Sequence, residues 1–271
     1  MNRSGLLKAA LVIGCIGLTA FLYFSSKTML VPKAGNTEQV SSDFIVEAAK
    51  KKLQRQEVTS LGELEKILDT KQGNDRIPLL DSLAWRWDIL GEPAVAAGYY
   101  RQAAEINSSE KSWSDAADRY TAALQMAQDS ATAAWLLNQS IICYNKVVEI
   151  NPENINAKLN LALSYAESTD PMTGIRMLRE IAQQHPENEQ AQMNLGILSI
   201  RSGQYDKAVE RFNKVLEINP SQWEAYYFLG YSLAQAGDSL KAAEAFKKYS
   251  ESGKNPQLLK EASVYIDQFK R

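Results

Sequence analysis

Residues 189–256 read EQAQMNLGILSIRSGQYDKAVERFNKVLEINPSQWEAYYFLGYSLAQAGDSLKAAEAFKKYSESGKNP, and laid over itself at a shift of 34 the stretch repeats. Gly196 falls on Gly230, Gly203 on Gly237, Ala208 on Ala242 and Phe212 on Phe246, while Pro152, Pro186 and Pro220 follow one another at the same interval. Five agreements in one register mark an internal repeat. The tripeptide Glu-Ile-Asn recurs at 105–107, 149–151 and 217–219. Its second gap is two periods and its first is 44, so one unit carries ten extra residues. The spacings Pro93 to Pro171 and Gly91 to Gly203 agree. The array therefore reads 77–110, 111–154 with the insertion, 155–188, 189–222 and 223–256.

Each unit reads as two packed helices. Small residues at Gly196 and Ala208 permit close approach, with Leu195 and Phe212 filling the seam. Gly203 stops the first helix. Pro93 and Pro171 begin second helices, where a missing N–H is harmless, and Asp170 can cap the one after it. Second helices end at Asn-Pro or His-Pro steps, because the residue before proline avoids the α region. No stretch alternates like a strand.

These residues resemble the tetratricopeptide repeat family, whose pattern is W-x2-L-G-x2-Y, then A-x3-F, then P. Leu195-Gly196, Tyr205, Ala208, Phe212 and Pro220 match it in the fourth unit, and Leu229-Gly230, Ala242 and Phe246 in the fifth. The first unit departs with Leu83-Ala84, Trp87, Ala96 and Tyr100, the third with Leu161-Ala162, Tyr165, Gly174 and Leu178, and the second is weakest. The resemblance implies an all-α, right-handed helical-repeat solenoid whose stacked units bury what one cannot bury alone.

Working outward, residues 43–76 read as further helices. Phe44, Ile45, Ala48 and Leu53 form one stripe, and Ser60 with Glu63 occupies capping-box positions before a second stripe of Leu61, Leu64, Ile67 and Leu68. After Pro256, Leu258, Leu259, Ala262, Tyr265, Ile266 and Phe269 suit a capping helix over 257–271. Residues 27–42 read as a tether. Residues 9–26, AALVIGCIGLTAFLYFSS, hold no charge, and 18 residues at ~1.5 Å each nearly span a ~30 Å hydrocarbon core. They are read as a single-pass transmembrane anchor behind a short cytoplasmic segment, 1–8. A cleaved leader competes, but Phe24-Ser25-Ser26 puts an aromatic where a peptidase wants a small side chain. Val12-Ile13-Gly14-Cys15 loosely resembles a lipobox, with too short an apolar stretch before it. The cations before the span set the amino terminus inside and the array in the bacterial periplasm.

Composition narrows the function. Thirty Lys+Arg against 32 Asp+Glu leave no basic surplus for nucleic acid. One histidine and two cysteines cannot build a multi-His metal site or a four-Cys zinc site. No phosphate loop, dinucleotide fingerprint or nucleophile elbow occurs. The chain reads as a non-enzyme without cofactor or metal. His185 reads as a turn residue, Cys143 as a buried small apolar group, and the Lys50–Lys52 run as a solvated face with lipid contact as the alternative. Of Trp85 and Trp87, a candidate binding pair, at least one should be core, since i and i+2 diverge on a helix.

The resemblance also implies a concave peptide groove made by first helices. Carried over, its positions are Leu159 and Leu163 in the third unit, Met193, Ile197 and Arg201 in the fourth, and Tyr227 and Tyr231 in the fifth, with Asn160 and Asn194 set to hold a peptide backbone. Leu, Met and Tyr replace the Lys of carboxylate-clamping members, which points to an apolar or aromatic ligand. Occupation of the groove by residues 43–70 or by the C-terminal cap is the competing reading. Anchored arrays of this kind assist protein export, envelope protein folding or cytochrome c maturation. The expected partners are a polypeptide and, through the N-terminal helix, the bilayer. The alternative is a structural subunit that assembles an oligomer, for which Ala10 and Gly14 have small-xxx-small spacing.

Overall fold

The structure, a computed structural model, describes residues 40–269. The expected anchor at 9–26 and the tether up to residue 39 lie outside the described residues. Among the described residues every regular element is helical, and no helix is long and apolar enough to cross a membrane. The chain divides into two bodies, with the division between Gly174 and Ile175.

The N-terminal body holds α1 (Ser42–Lys50), α2 (Arg55–Asp69), a 3-10 turn (Gly73–Arg76), α3 (Ile77–Ile89), α4 (Pro93–Asn107), α5 (Glu110–Leu124), α6 (Ser130–Ile150), α7 (Ile155–Glu167) and the first turn of α8 (Pro171–Gln184). The C-terminal body holds the rest of α8, then α9 (Glu189–Arg201), α10 (Tyr205–Ile218), α11 (Trp223–Ala236), α12 (Ser239–Ser252) and α13 (Pro256–Phe269). Short loops between helices that pack on one another make successive helices antiparallel, so each body is a stack of helix hairpins.

The periodic residues have local reasons. Gly91, Gly203 and Gly237 share one place, the end of a first helix, and have φ of 75°, 70° and 92°, a left-handed backbone that a Cβ disfavours. Glu-Ile-Asn recurs because its asparagine turns the chain: the Oδ1 atoms of Asn107, Asn151 and Asn219 accept from the N–H two residues on, at 2.9, 3.1 and 3.0 Å. The side chains of Asn151 and Asn154 also donate to Glu110, and those of Asn219 and Gln222 to Glu189. Each clamp ties the start of a first helix to the turn that closes its own hairpin. Asn154 and Asn188, 34 apart, cap α7 and α9 by accepting from the N–H groups of Ala157 and Ala191. The extra length of the second hairpin lies mostly in α6, which has 21 residues against 14 for α10.

The hairpins close on small residues. A Cβ added at Gly196 would meet the Phe212 ring at 2.7 Å, and one at Gly230 the Phe246 ring at 3.0 Å. Ala208 and Ala242 are wholly buried beside them. At Gly174 an added Cβ would strike backbone, the Ala162 carbonyl oxygen and the Ala166 nitrogen.

Two local expectations are corrected. The helix predicted to start after Ser60 begins at Arg55, where Gln54 and Glu57 form the capping box. Ser60 sits within α2, and its hydroxyl accepts from Arg86 Nη1 at 2.6 Å. Leu53 lies in the turn between α1 and α2, outside the helical stripe expected of it. Two of the three successive lysines are structural staples: Lys50 pairs with Glu65 at 3.0 Å and Lys52 with Glu92 at 2.7 Å. These ties fix α1 and α2 over a core that Leu61 and Leu68 share with Leu80, Leu83, Ala84 and Trp87.

Candidate polypeptide-binding surfaces

The nine residues carried onto a groove fall into three environments. Leu159, Tyr227 and Tyr231 are buried, with Leu159 1 % and Tyr227 2 % exposed. Leu163, Met193, Asn194, Ile197 and Asn160 are half-buried, and Arg201 is exposed at the end of α9. Tyr227 serves the fold. Its hydroxyl donates to Glu261 of α13 at 2.5 Å, and its ring meets Phe246 and Tyr249 edge-on at 5.7 and 5.5 Å. Burial first, and the bond to Glu261 second, drive its phenol pKa far upward. Tyr231 lies edge-on to Tyr205 at 6.5 Å, and burial likewise raises its phenol. Tyr265 of α13 stacks on Phe246 at 4.7 Å. The C-terminal helix thus covers the last hairpin as one more layer and draws the inward tyrosines into packing. In the N-terminal body the Tyr144 hydroxyl donates to Asp118 at 2.8 Å.

The residues left open lie elsewhere. On α3, Leu80, Leu83, Ala84 and Trp87 fill the core, so the opposite face presents Asp81, Trp85, Asp88 and Ile89 at helical spacing. Trp87 is fully buried, whereas Trp85 is 59 % and Ile89 63 % exposed. Between this face and α2 runs a groove of about 440 Å³ floored by Leu61 and Leu90. On the α5 side, Arg119 pairs with Asp88 at 2.7 Å and lies over the Tyr100 ring at 5.8 Å. Lys111 pairs with Asp115 at 2.6 Å. The two tryptophans had been singled out by sequence. The phase of α3 decides between them, and that phase is carried by Leu80, Leu83 and Ala84.

Cys143 is buried, and desolvation pushes its thiol up to about 12, which disfavours the thiolate. His185 ends α8, with Nδ1 3.8 Å from Glu187. Among the described residues no group of three or more His, Cys, Asp or Glu could hold a metal ion.

The repeat, its glycine joints and its asparagine turns meet a direct counterpart in comparison with known families: residues 159–214 and 198–256 match the tetratricopeptide repeat. The matched stretch is similar to a tetratricopeptide array. It takes in α8 to α12 whole and most of α7. No curated protein matches the chain in sequence. Among solved structures, MamA aligns over 65 % of this chain and 90 % of its own, with 19 % identity and a TM-score of 0.52. MamA from Desulfovibrio magneticus aligns over 66 % and 96 %, with 17 % identity and a TM-score of 0.53. YrrB, described as a tetratricopeptide-repeat protein with an unusual peptide-binding site, aligns over 74 % and 97 %, with 17 % identity and a TM-score of 0.51. At these identities the likeness is one of fold.

Proposed function

We propose that the chain is a membrane-tethered scaffold whose helical repeats hold a polypeptide segment on the periplasmic side of a bacterial inner membrane. The observation that carries the binding half is the Trp85–Ile89 pair, two large apolar side chains left in water on a helix whose core face is already complete. Tryptophan in a groove is the side chain most often found anchoring protein contacts. Met193, Asn194 and Ile197, half-open in the C-terminal body, offer a second contact surface. The tethering half rests on the uncharged run at 9–26 and the cations before it. Export, envelope protein folding and cytochrome c maturation are the processes that an anchored array of this kind would serve.

Photo-crosslinking in native membranes, with the reactive group placed at Trp85 or at Met193, tests both halves. Adducts with a nascent or unfolded chain, together with activity of a periplasm-only reporter fused after Arg271, are the expected result. Adducts with further copies of the chain alone would replace this reading with the structural subunit, and activity of a cytoplasm-only reporter would overturn the topology.

A further inference from the structure

The exposed face of α3 combines a carboxylate with an open indole. Asp81 lies one helical turn before Trp85; burial raises its carboxyl pKa, the Lys111 ammonium draws it back down, and no close hydrogen bond or ion pair holds it among the described residues. Around it Lys111 pairs with Asp115 and also attracts Asp81, Arg119 pairs with Asp88, and Arg86, which lines the trough, donates to the neutral Ser60 hydroxyl. Glu57 accepts from the Gln54 N–H at the mouth of the groove. The face therefore has a π surface and a carboxylate about 5–6 Å apart at their Cβ atoms, beside an apolar trough walled by Ile89 and floored by Leu61 and Leu90. An indole face attracts a cation most strongly among the aromatic side chains, and a nearby carboxylate adds to that attraction. The trough next to it rewards an apolar side chain.

We infer that this face binds a polypeptide segment in which an arginine or lysine neighbours an apolar residue, with the cation over Trp85 and against Asp81 and the apolar side chain between α2 and α3. The inference rests on the scaffold reading above and names the partner chemistry of its N-terminal surface. An acidic segment would set its charge against Asp81 beside Trp85 and Glu57 at the mouth of the trough. A purely apolar one would leave Asp81 without a partner under a bound chain.

The test uses the purified full chain and three fluorescently labelled ten-residue peptides with the same two leucines and four arginines, four glutamates or four serines. Fluorescence anisotropy should show the arginine peptide binding at least tenfold more tightly than the other two, and progressively weaker as salt rises from 50 to 500 mM. Trp85→Ala should weaken it tenfold or more and Asp81→Asn about threefold. Both variants should melt like the parent, because both side chains stand in solvent. Equal binding of the serine or glutamate peptide, or arginine-peptide binding unchanged by Trp85→Ala, overturns the inference. So does a dimer that Trp85→Ala converts to monomer while no peptide binds, since the face would then belong to a second copy. Polypeptide capture in the membrane crosslinking experiment with none of this peptide preference would leave the scaffold standing and remove only the inference.

Discussion

In the C-terminal body the first helices turn their large inward residues into the packing: Tyr227 is tied to Glu261, Tyr231 lies against Tyr205, and the rings of Phe212 and Phe246 fill the space above Gly196 and Gly230. In the N-terminal body the corresponding face of α3 stays in water, with Trp85 and Ile89 unburied and carboxylates around them. The first helix of the last unit has spent its inward tyrosines on packing, whereas the first helix of the first unit keeps Trp85 open to solvent.

The sharpest way to break the comparison is at the hairpin joints. Gly174→Ala drives a methyl into the Ala162 carbonyl and the Ala166 nitrogen, which cannot move without shifting a helix, whereas Gly196→Ala meets only the edge of a ring that can swing. Overpacking of this kind costs about 1–3 kcal/mol and more where backbone must yield. Urea denaturation should show a loss of about 3 kcal/mol for Gly174→Ala and about 1 kcal/mol for Gly196→Ala. Equal losses would mean that the two bodies close their hairpins alike.

A smaller effect sharpens the C-terminal half. Tyr227→Phe keeps the ring contacts and deletes only the donor to Glu261, and hydrogen bonds to charged groups contribute about 1.5–3 kcal/mol. A loss of about 1.5 kcal/mol in the same denaturation is expected. No loss would free Tyr227 from its structural role and restore it as a groove residue.

The period of 34 was legible because its markers are backbone-driven. Proline at the start of second helices, glycine at positive φ and asparagine at each turn are dictated by local geometry, and so they show in a single sequence. The start of α2 was misread because Gln54/Glu57 and Ser60/Glu63 both have the three-residue capping spacing, and the former is the one that forms the box. The burial of Tyr227 was not legible, since its partner lies 34 residues on, in a helix outside the last full unit. The division between Trp85 and Trp87 was half legible: their spacing forbids a shared face, but which one is core depends on the phase set by Leu80, Leu83 and Ala84.

The account's central claim is that α3 leaves Trp85 open to solvent while Tyr227 and Tyr231 of the C-terminal body are structural. Hydroxyl-radical footprinting of the full chain, read by mass spectrometry, tests it most directly, because Trp85 and Trp87 are the same residue type two positions apart. Trp85 should be oxidised at least tenfold faster than Trp87, with Tyr227 and Tyr231 protected. Similar rates for the two tryptophans, or rapid oxidation of Tyr227, would contradict it.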